Sequence, residues 1–128
     1  MRLKLLFKFL RKIQDKNNLY YEDYKITNII ENIKLLINVT SYVGSTIGYL
    51  KNYIQEYTNN YFLSNKIIKN IFKIKIEYLC IDNFLINKSD YIIDGLLKDD
   101  DKLICNFYII NSKVNIVNDC NCFIGKLK

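Results

Sequence analysis

Apolar residues recur at helical spacing through the first half of the chain. Between residues 28 and 38, Ile29, Ile30, Ile33, Leu36 and Ile37 share one face, and Asn28 and Glu31 stand three apart as in a capping pair. Residues 42–57 repeat the pattern through Val43, Ile47, Leu50, Ile54 and Tyr57. Gly44 and Gly48 interrupt it. Because glycine inside a helix costs about 1 kcal/mol relative to alanine, they mark either a loop before the helix or a place where another backbone comes close. Ser64 is positioned to cap a third, short helix carrying Ile67, Ile68 and Ile71. Ahead of these, residues 1–13 put Leu3, Leu6, Phe7, Leu10 and Ile13 on one helical stripe, with Arg2, Lys4, Lys8, Arg11 and Lys12 on its flanks. This is a basic amphipathic segment, expected to dock its apolar side on a partner or on the rest of the domain.

The period changes after residue 71. Phe72, Ile74, Ile76, Tyr78 and Cys80 alternate with Lys73, Lys75, Glu77 and Leu79, which predicts a strand. Residues 89–97 read as a short helix capped by Ser89, with Ile92, Ile93, Leu96 and Leu97 facing inward. Asp99, Asp100, Asp101 and Lys102 form a solvated turn, and Leu103–Ile110 and Val114–Val117 flank a polar turn at Asn111 and Ser112 as a hairpin. The prediction is an α+β chain with a helical N-terminal half, followed by short strands, one helix and a hairpin. It forms one domain over residues 1–128, divided into the basic segment 1–13, a helical region 28–72 and a mixed region 72–128.

Composition supports a folded chain, since 128 residues at 50% hydrophobic content suffice to bury a core. It also tempers the charge. Ile, Asn, Lys and Tyr number 22, 17, 17 and 11, and all are encoded by AT-rich codons, so a net charge of +6 partly reflects coding bias. The basic set is 17 Lys to 2 Arg. Arginine provides the fork that grips phosphates and base edges in pairs, so a lysine-dominated chain is suited to nonspecific or indirect contact with a polyanion. The uncharged run Leu35–Leu50 carries Asn38, Thr40, Ser41, Ser45 and Thr46 and falls short of the roughly 20 apolar residues of a spanning helix, so no membrane span is expected. Interspersed lysines likewise break any secretory core in residues 1–13.

Little in the chain suggests autonomous chemistry. Without histidine it lacks the usual general base and the activator of serine and cysteine nucleophiles. Its four glycines compose neither a phosphate loop nor a dinucleotide fingerprint. Asp99–Asp101 are too crowded for the spaced ligand set that holds magnesium. Cys80, Cys105, Cys120 and Cys122 give one C-x-C and two isolated residues rather than paired zinc knuckles. They read as free thiols in a reducing compartment, cytoplasmic or alternatively mitochondrial. No catalytic residue, cofactor or metal is expected. The eleven tyrosines and seven phenylalanines read as core and interface filler, with only Tyr20, Tyr21 and Tyr24 close to several lysines.

The C-terminal third carries a family resemblance. Ile86, Asn87, Lys88, Ser89, Asp90, Tyr91, Ile92 and Ile93, followed by Leu96 and Leu97, resemble the late segment I-x-D-K-H-I-E-V-I and apolar helix of the largest subunit of multisubunit RNA polymerases, with Asp90 in place of the family's histidine. Asn121, Cys122, Phe123, Ile124, Gly125, Lys126 and Leu127 are similar to that subunit's E-N-V-I-I-G-x-L segment, and Val43, Gly44, Ile47 and Gly48 to its V-G-x-x-A-A-Q-S-I-G region. The resemblance implies a separate small subunit of a linear-plasmid or virus-like-element polymerase. It would be noncatalytic, because the N-A-D-F-D-G-D motif is absent, and would dock on the large catalytic subunit. The residues it assigns to partner binding are Ile86, Tyr91, Ile92, Ile93, Leu96, Leu97, Phe123, Ile124 and Gly125. Two alternatives stand beside it: an organelle-encoded ribosomal or respiratory-complex accessory protein, and a small viral or plasmid nucleic-acid-binding regulator.

Overall fold

The computed structural model describes residues 1–14, 24–40 and 44–111. Its frame is a five-stranded mixed sheet of β1 (Arg2–Phe9), β2 (Lys34–Asn38), β3 (Phe72–Ile81), β4 (Phe84–Leu85) and β5 (Asp101–Asn111), in the order β2-β1-β5-β3-β4. With them stand α1 (Arg11–Gln14), α2 (Tyr24–Glu31), α3 (Ile47–Ser64) and a 3₁₀ turn at Ile92–Asp94. The class is α+β, as the sequence predicts. Strand β5 is central, parallel to β1 and antiparallel to β3.

Alternation decides which face is covered. Leu3, Leu5 and Phe7 of β1 are buried, as are Leu35 and Ile37 of β2, Ile74, Ile76 and Leu79 of β3, and Leu103, Cys105, Phe107 and Ile109 of β5. The period of two survives in β3 because a bulge between Ile76 and Tyr78 resets it. Helix α3 lays Ile47, Leu50, Ile54, Thr58 and Phe62 on this face, and Ile30 of α2 joins the same core. Each such side chain contributes about 1.5–3 kcal/mol on burial. Phe62 fixes the end of α3 to the sheet through Phe7, with centroids 5.5 Å apart, and Phe7 meets Phe107 at 6.3 Å.

Thr58 lies at the centre of that contact, fully buried, and its Oγ1 has no hydrogen-bond partner among the described residues. A buried hydroxyl without a partner bears a desolvation cost of about 1–3 kcal/mol. Thr58→Val keeps the shape and removes the cost, so its urea midpoint is expected to rise at unchanged slope. A lower midpoint would show that the hydroxyl has a partner.

Two amide side chains complete the ladder where strands run out. The Nδ2 of Asn59 donates to the Ile74 carbonyl (3.0 Å) and its Oδ1 accepts from the Ile74 N–H (2.8 Å). Gln55 Oε1 accepts from the Ile76 N–H at 2.8 Å. Four residues along a helix advance about 6 Å and two along a strand nearly 7 Å, so residues 55 and 59 stay in step with residues 76 and 74. Across the sheet, Gln14 Nε2 donates to the Ile109 carbonyl at 2.8 Å and its Oε1 accepts from the Ile109 N–H at 2.6 Å. Ile74 and Ile109 are register partners, so one row of the sheet is closed at both sides by carboxamides.

Several local expectations are overturned. Residues 1–13 are not a helix: residues 2–9 form β1, whose parallel pairing with β5 uses the alternation Leu3, Leu5, Phe7, and only Arg11–Gln14 is helical. The region 28–72 is not continuously helical. Helix α2 ends at Glu31, and Lys34–Asn38 is a strand that buries Leu35 and Ile37 while Leu36 points outward. Asn28 and Glu31 therefore belong to the last turn of α2 and not to a cap, and Glu31 Oε2 instead accepts from the Phe9 N–H. The separate helix after Ser64 does not form, because α3 runs to Ser64 and the chain then turns through Lys66 at φ 58°. The helix expected over 89–97 shrinks to Ile92–Asp94, stopped by left-handed Gly95 (φ 84°) and tied to the segment before α3 by the Ile92 N–H donating to the Ser45 carbonyl. Leu103–Ile110, the first strand of the predicted hairpin, lie within β5. Val114–Val117 lie outside the described residues.

Candidate polyanion-binding face

The second face of the sheet carries the other half of each alternation. On β1 these positions are Arg2, Lys4, Leu6 and Lys8, and on β2 Lys34, Leu36 and Asn38. On β3 they are Lys73, Lys75, Tyr78 and Cys80, and on β5 Lys102, Ile104, Asn106, Tyr108 and Ile110. None is acidic. Register brings them together: Lys4 lies beside Leu36 and Lys102, Lys8 beside Asn106, and Lys75 beside Tyr108. Leu6, Ile104 and Cys80 form an apolar centre, since Leu6 pairs with Ile104 and Ile104 with Cys80. Asn106 is buried within it, donating to the Tyr78 and Ile104 carbonyls at 3.3 Å. Six lysines thus ring an apolar and tyrosine-bearing surface.

Arg2 is already engaged. Its Nε donates to Asp100 Oδ1 at 2.8 Å, which raises the pKa of the guanidinium and lowers that of the carboxyl. Asp99 Oδ1 accepts from the Arg2 N–H, and Asp101 Oδ2 from the Lys98 N–H. The acidic run therefore organises the exposed turn that enters β5. Tyr108 is pushed above the ordinary phenol value by burial and by Glu77, so its hydroxyl remains a neutral donor near pH 7. The carboxylate of Glu77, at the bulge, is the only one within β3.

Helix α3 presents a different surface. Tyr49, Tyr53, Tyr57 and Tyr61 recur every four residues, all exposed, and Tyr57 stacks on Tyr61 with centroids 6.5 Å apart. At 100° per residue they lie on the flank opposite Gln55 and Asn59. The only charges on this helix are Lys51 and Glu56, so the tyrosine row is an aromatic, nearly neutral ridge of the composition that favours protein contact.

The partner-binding residues predicted from sequence divide. Ile86, Ile92 and Leu97 are buried in the domain's own core, whereas Tyr91, Ile93 and Leu96 are exposed. Phe123, Ile124 and Gly125 lie outside the described residues. Cys105 is fully buried, and burial alone raises its pKa so far that it stays a protonated thiol. Cys80 pairs with Ile104 on the opposite face, so the two thiols point apart; Cys120 and Cys122 lie outside the described residues. Among the described residues no three His, Cys, Asp or Glu side chains converge to hold a metal, and no helix is long and apolar enough to cross a membrane. The lysine face has no signature along the sequence as long as residues 1–13 read as a helix. The tyrosine spacing was present in the sequence and went unused.

The sequence matches no protein-family model and no curated protein. What defines the molecule is its geometry: a two-layer α+β domain with one sheet face uncovered by the described helices and basic.

Proposed function

We propose that the protein is a noncatalytic subunit of a nucleic-acid-handling assembly, docked on a larger chain and turning its open sheet face toward phosphate backbone. The observation that carries this reading is the grouping of Lys4, Lys8, Lys34, Lys73, Lys75 and Lys102 on one face, outnumbering Glu77, the acid that adjoins them at the bulge. Lysines release counterions from a phosphate chain, and without arginine forks the contact is with backbone and not with bases. The exposed Tyr91, Ile93 and Leu96 and the tyrosine row of α3 supply the surface for the larger chain. The resemblance of residues 86–97 to the largest polymerase subunit names the assembly we favour, a DNA-dependent RNA polymerase whose catalytic chain supplies the metal chemistry.

The test is a salt titration of binding to a single-stranded oligonucleotide. Lys4→Gln, Lys34→Gln and Lys102→Gln combined are expected to flatten the slope of log K against log salt by about 2, since each lost phosphate contact removes about 0.7. An unchanged slope, or no binding by the parent protein at low salt, would sink the proposal.

A further inference from the structure

The side chains of α3 that face the edge of β3 form a series of three, Lys51, Gln55 and Asn59, one turn apart. Asn59 and Gln55 are bonded to Ile74 and Ile76. Lys51 reaches the edge where the bulge begins, and there only the Glu77 carboxylate lies near it. It projects instead into a groove of about 300 Å³ between α3, the bulge and the β3–β4 hairpin, lined by Lys51, Glu77, Tyr78, Leu85 and Lys88 among others. Lys88 lines the far wall of the same groove, close enough for its charge to act on Lys51, with Lys75 also within reach. Among the described residues Lys51 has no carboxylate within ion-pair distance, and Glu77 is the only acid in its surroundings. Burial and the neighbouring Lys88 accordingly lower the pKa of Lys51.

Lys51 and Lys88 outnumber Glu77, the single acid among the lining residues, so the groove is net positive and suited to an anion. The nearby helix terminus does not provide the site, because the first N–H groups of α3 are occupied. Ile47 and Gly48 donate to the carbonyls of Asp90 and Lys88, and Tyr49 and Leu50 to Thr46. The walls offer Tyr78 and the exposed Leu85, a surface for something flat and weakly polar. The volume is at the small end for a ligand pocket and suits a single unit of a chain.

We propose that this groove is a phosphate subsite, taking the phosphate of one nucleotide unit between Lys51 and Lys88 with its sugar or base against Tyr78 and Leu85. The choice of a nucleotide rests on the nucleic-acid reading above; the phosphate-binding pair does not. The unit can belong to a free mononucleotide or to a polynucleotide whose chain continues past Lys75 onto the open sheet face.

Isothermal titration of the full chain at low salt with adenosine monophosphate, adenosine and a single-stranded oligonucleotide separates these cases. The monophosphate is expected to bind and adenosine to fail. Lys51→Met with Lys88→Met should weaken the monophosphate at least about tenfold, the loss of charge-assisted contacts, while Lys51→Arg and Lys25→Gln leave it near the parent value. If the double variant does not fold by circular dichroism, Lys51→Gln and Lys88→Gln taken singly must each weaken binding. Equal affinity for adenosine and its monophosphate, or a folded double variant that binds as the parent does, overturns the subsite. Oligonucleotide binding that outlasts the double variant while the monophosphate never binds overturns the subsite and spares the sheet-face reading. Monophosphate binding through this pair, with an oligonucleotide salt slope indifferent to residues 4, 34 and 102, keeps the subsite and removes the sheet face.

Discussion

Gln14→Leu is expected to cost about 2–6 kcal/mol, because it strands both the N–H and the carbonyl of Ile109 in the interior and each orphaned group bears about 1–3 kcal/mol. Gln14 is itself fully buried, and both its amide atoms bond that residue. Leucine fills the volume, so the loss would report hydrogen bonding and not a cavity, and should appear as a lower urea midpoint with unchanged slope. Gln14→Glu adds a pH signature. The carbonyl of Ile109 needs a donor, which only the protonated acid provides, so burial and this contact raise the folded pKa above the unfolded value of about 4.3. The variant should approach the parent at pH below about 4, where both states are protonated, and lose stability as pH rises from there toward the folded pKa. A flat difference across that range would show that the side chain has swung out to solvent.

Phe62→Ala should cost about 3–5 kcal/mol, the usual loss for emptying an aromatic site in a well-packed core. Phe62 is completely buried and contacts Phe7 on β1 while belonging to the last turns of α3. The carbonyl of Phe62 also accepts from the Ile67 N–H, so the ring anchors the turn that leads into β3. With a total stability of about 5–15 kcal/mol for a domain of ordinary kind, the variant stands near the edge of unfolding. Phe62→Leu, which leaves most of the volume filled, separates cavity from anchor by losing less than half as much. Equal losses for the two would mean that ring geometry, and not volume, is what the site requires.

Much of the architecture is visible in the sequence where one period dominates. β3 is unambiguous because Phe72, Ile74 and Ile76 alternate with lysines, and α3 because Ile47, Leu50 and Ile54 share a face. Gly44 and Gly48 fall into the two roles foreseen for them: Gly44 takes φ 88° in the turn before the helix, and Gly48 packs its backbone against Lys88. The first 38 residues misled because Leu-rich and Ile-rich runs satisfy both periods at once. Leu3, Leu6 and Phe7 form a helical stripe, while Leu3, Leu5 and Phe7 form a strand face. Pairing with β2 and with β5, whose register partners lie 98 residues on, settles the second arrangement. Strand preference is set by such packing more than by the residues themselves. The lysine face was hidden by the same error. The groove around Lys51 and Lys88 was hidden by distance along the chain, and the short contact of Ile92 with Ser45 in place of a helix had no local signature.

The seal on the outer flank of β3 has a further consequence. Exposed sheet borders are often guarded by charged side chains, whose protection fades as dissolved ions accumulate. Here Gln55 and Asn59 do the work with uncharged amides, so this border stays closed whatever the ionic strength. A response of nucleic-acid binding to added electrolyte can therefore be assigned to the lysines and not to a loosening of the scaffold that presents them.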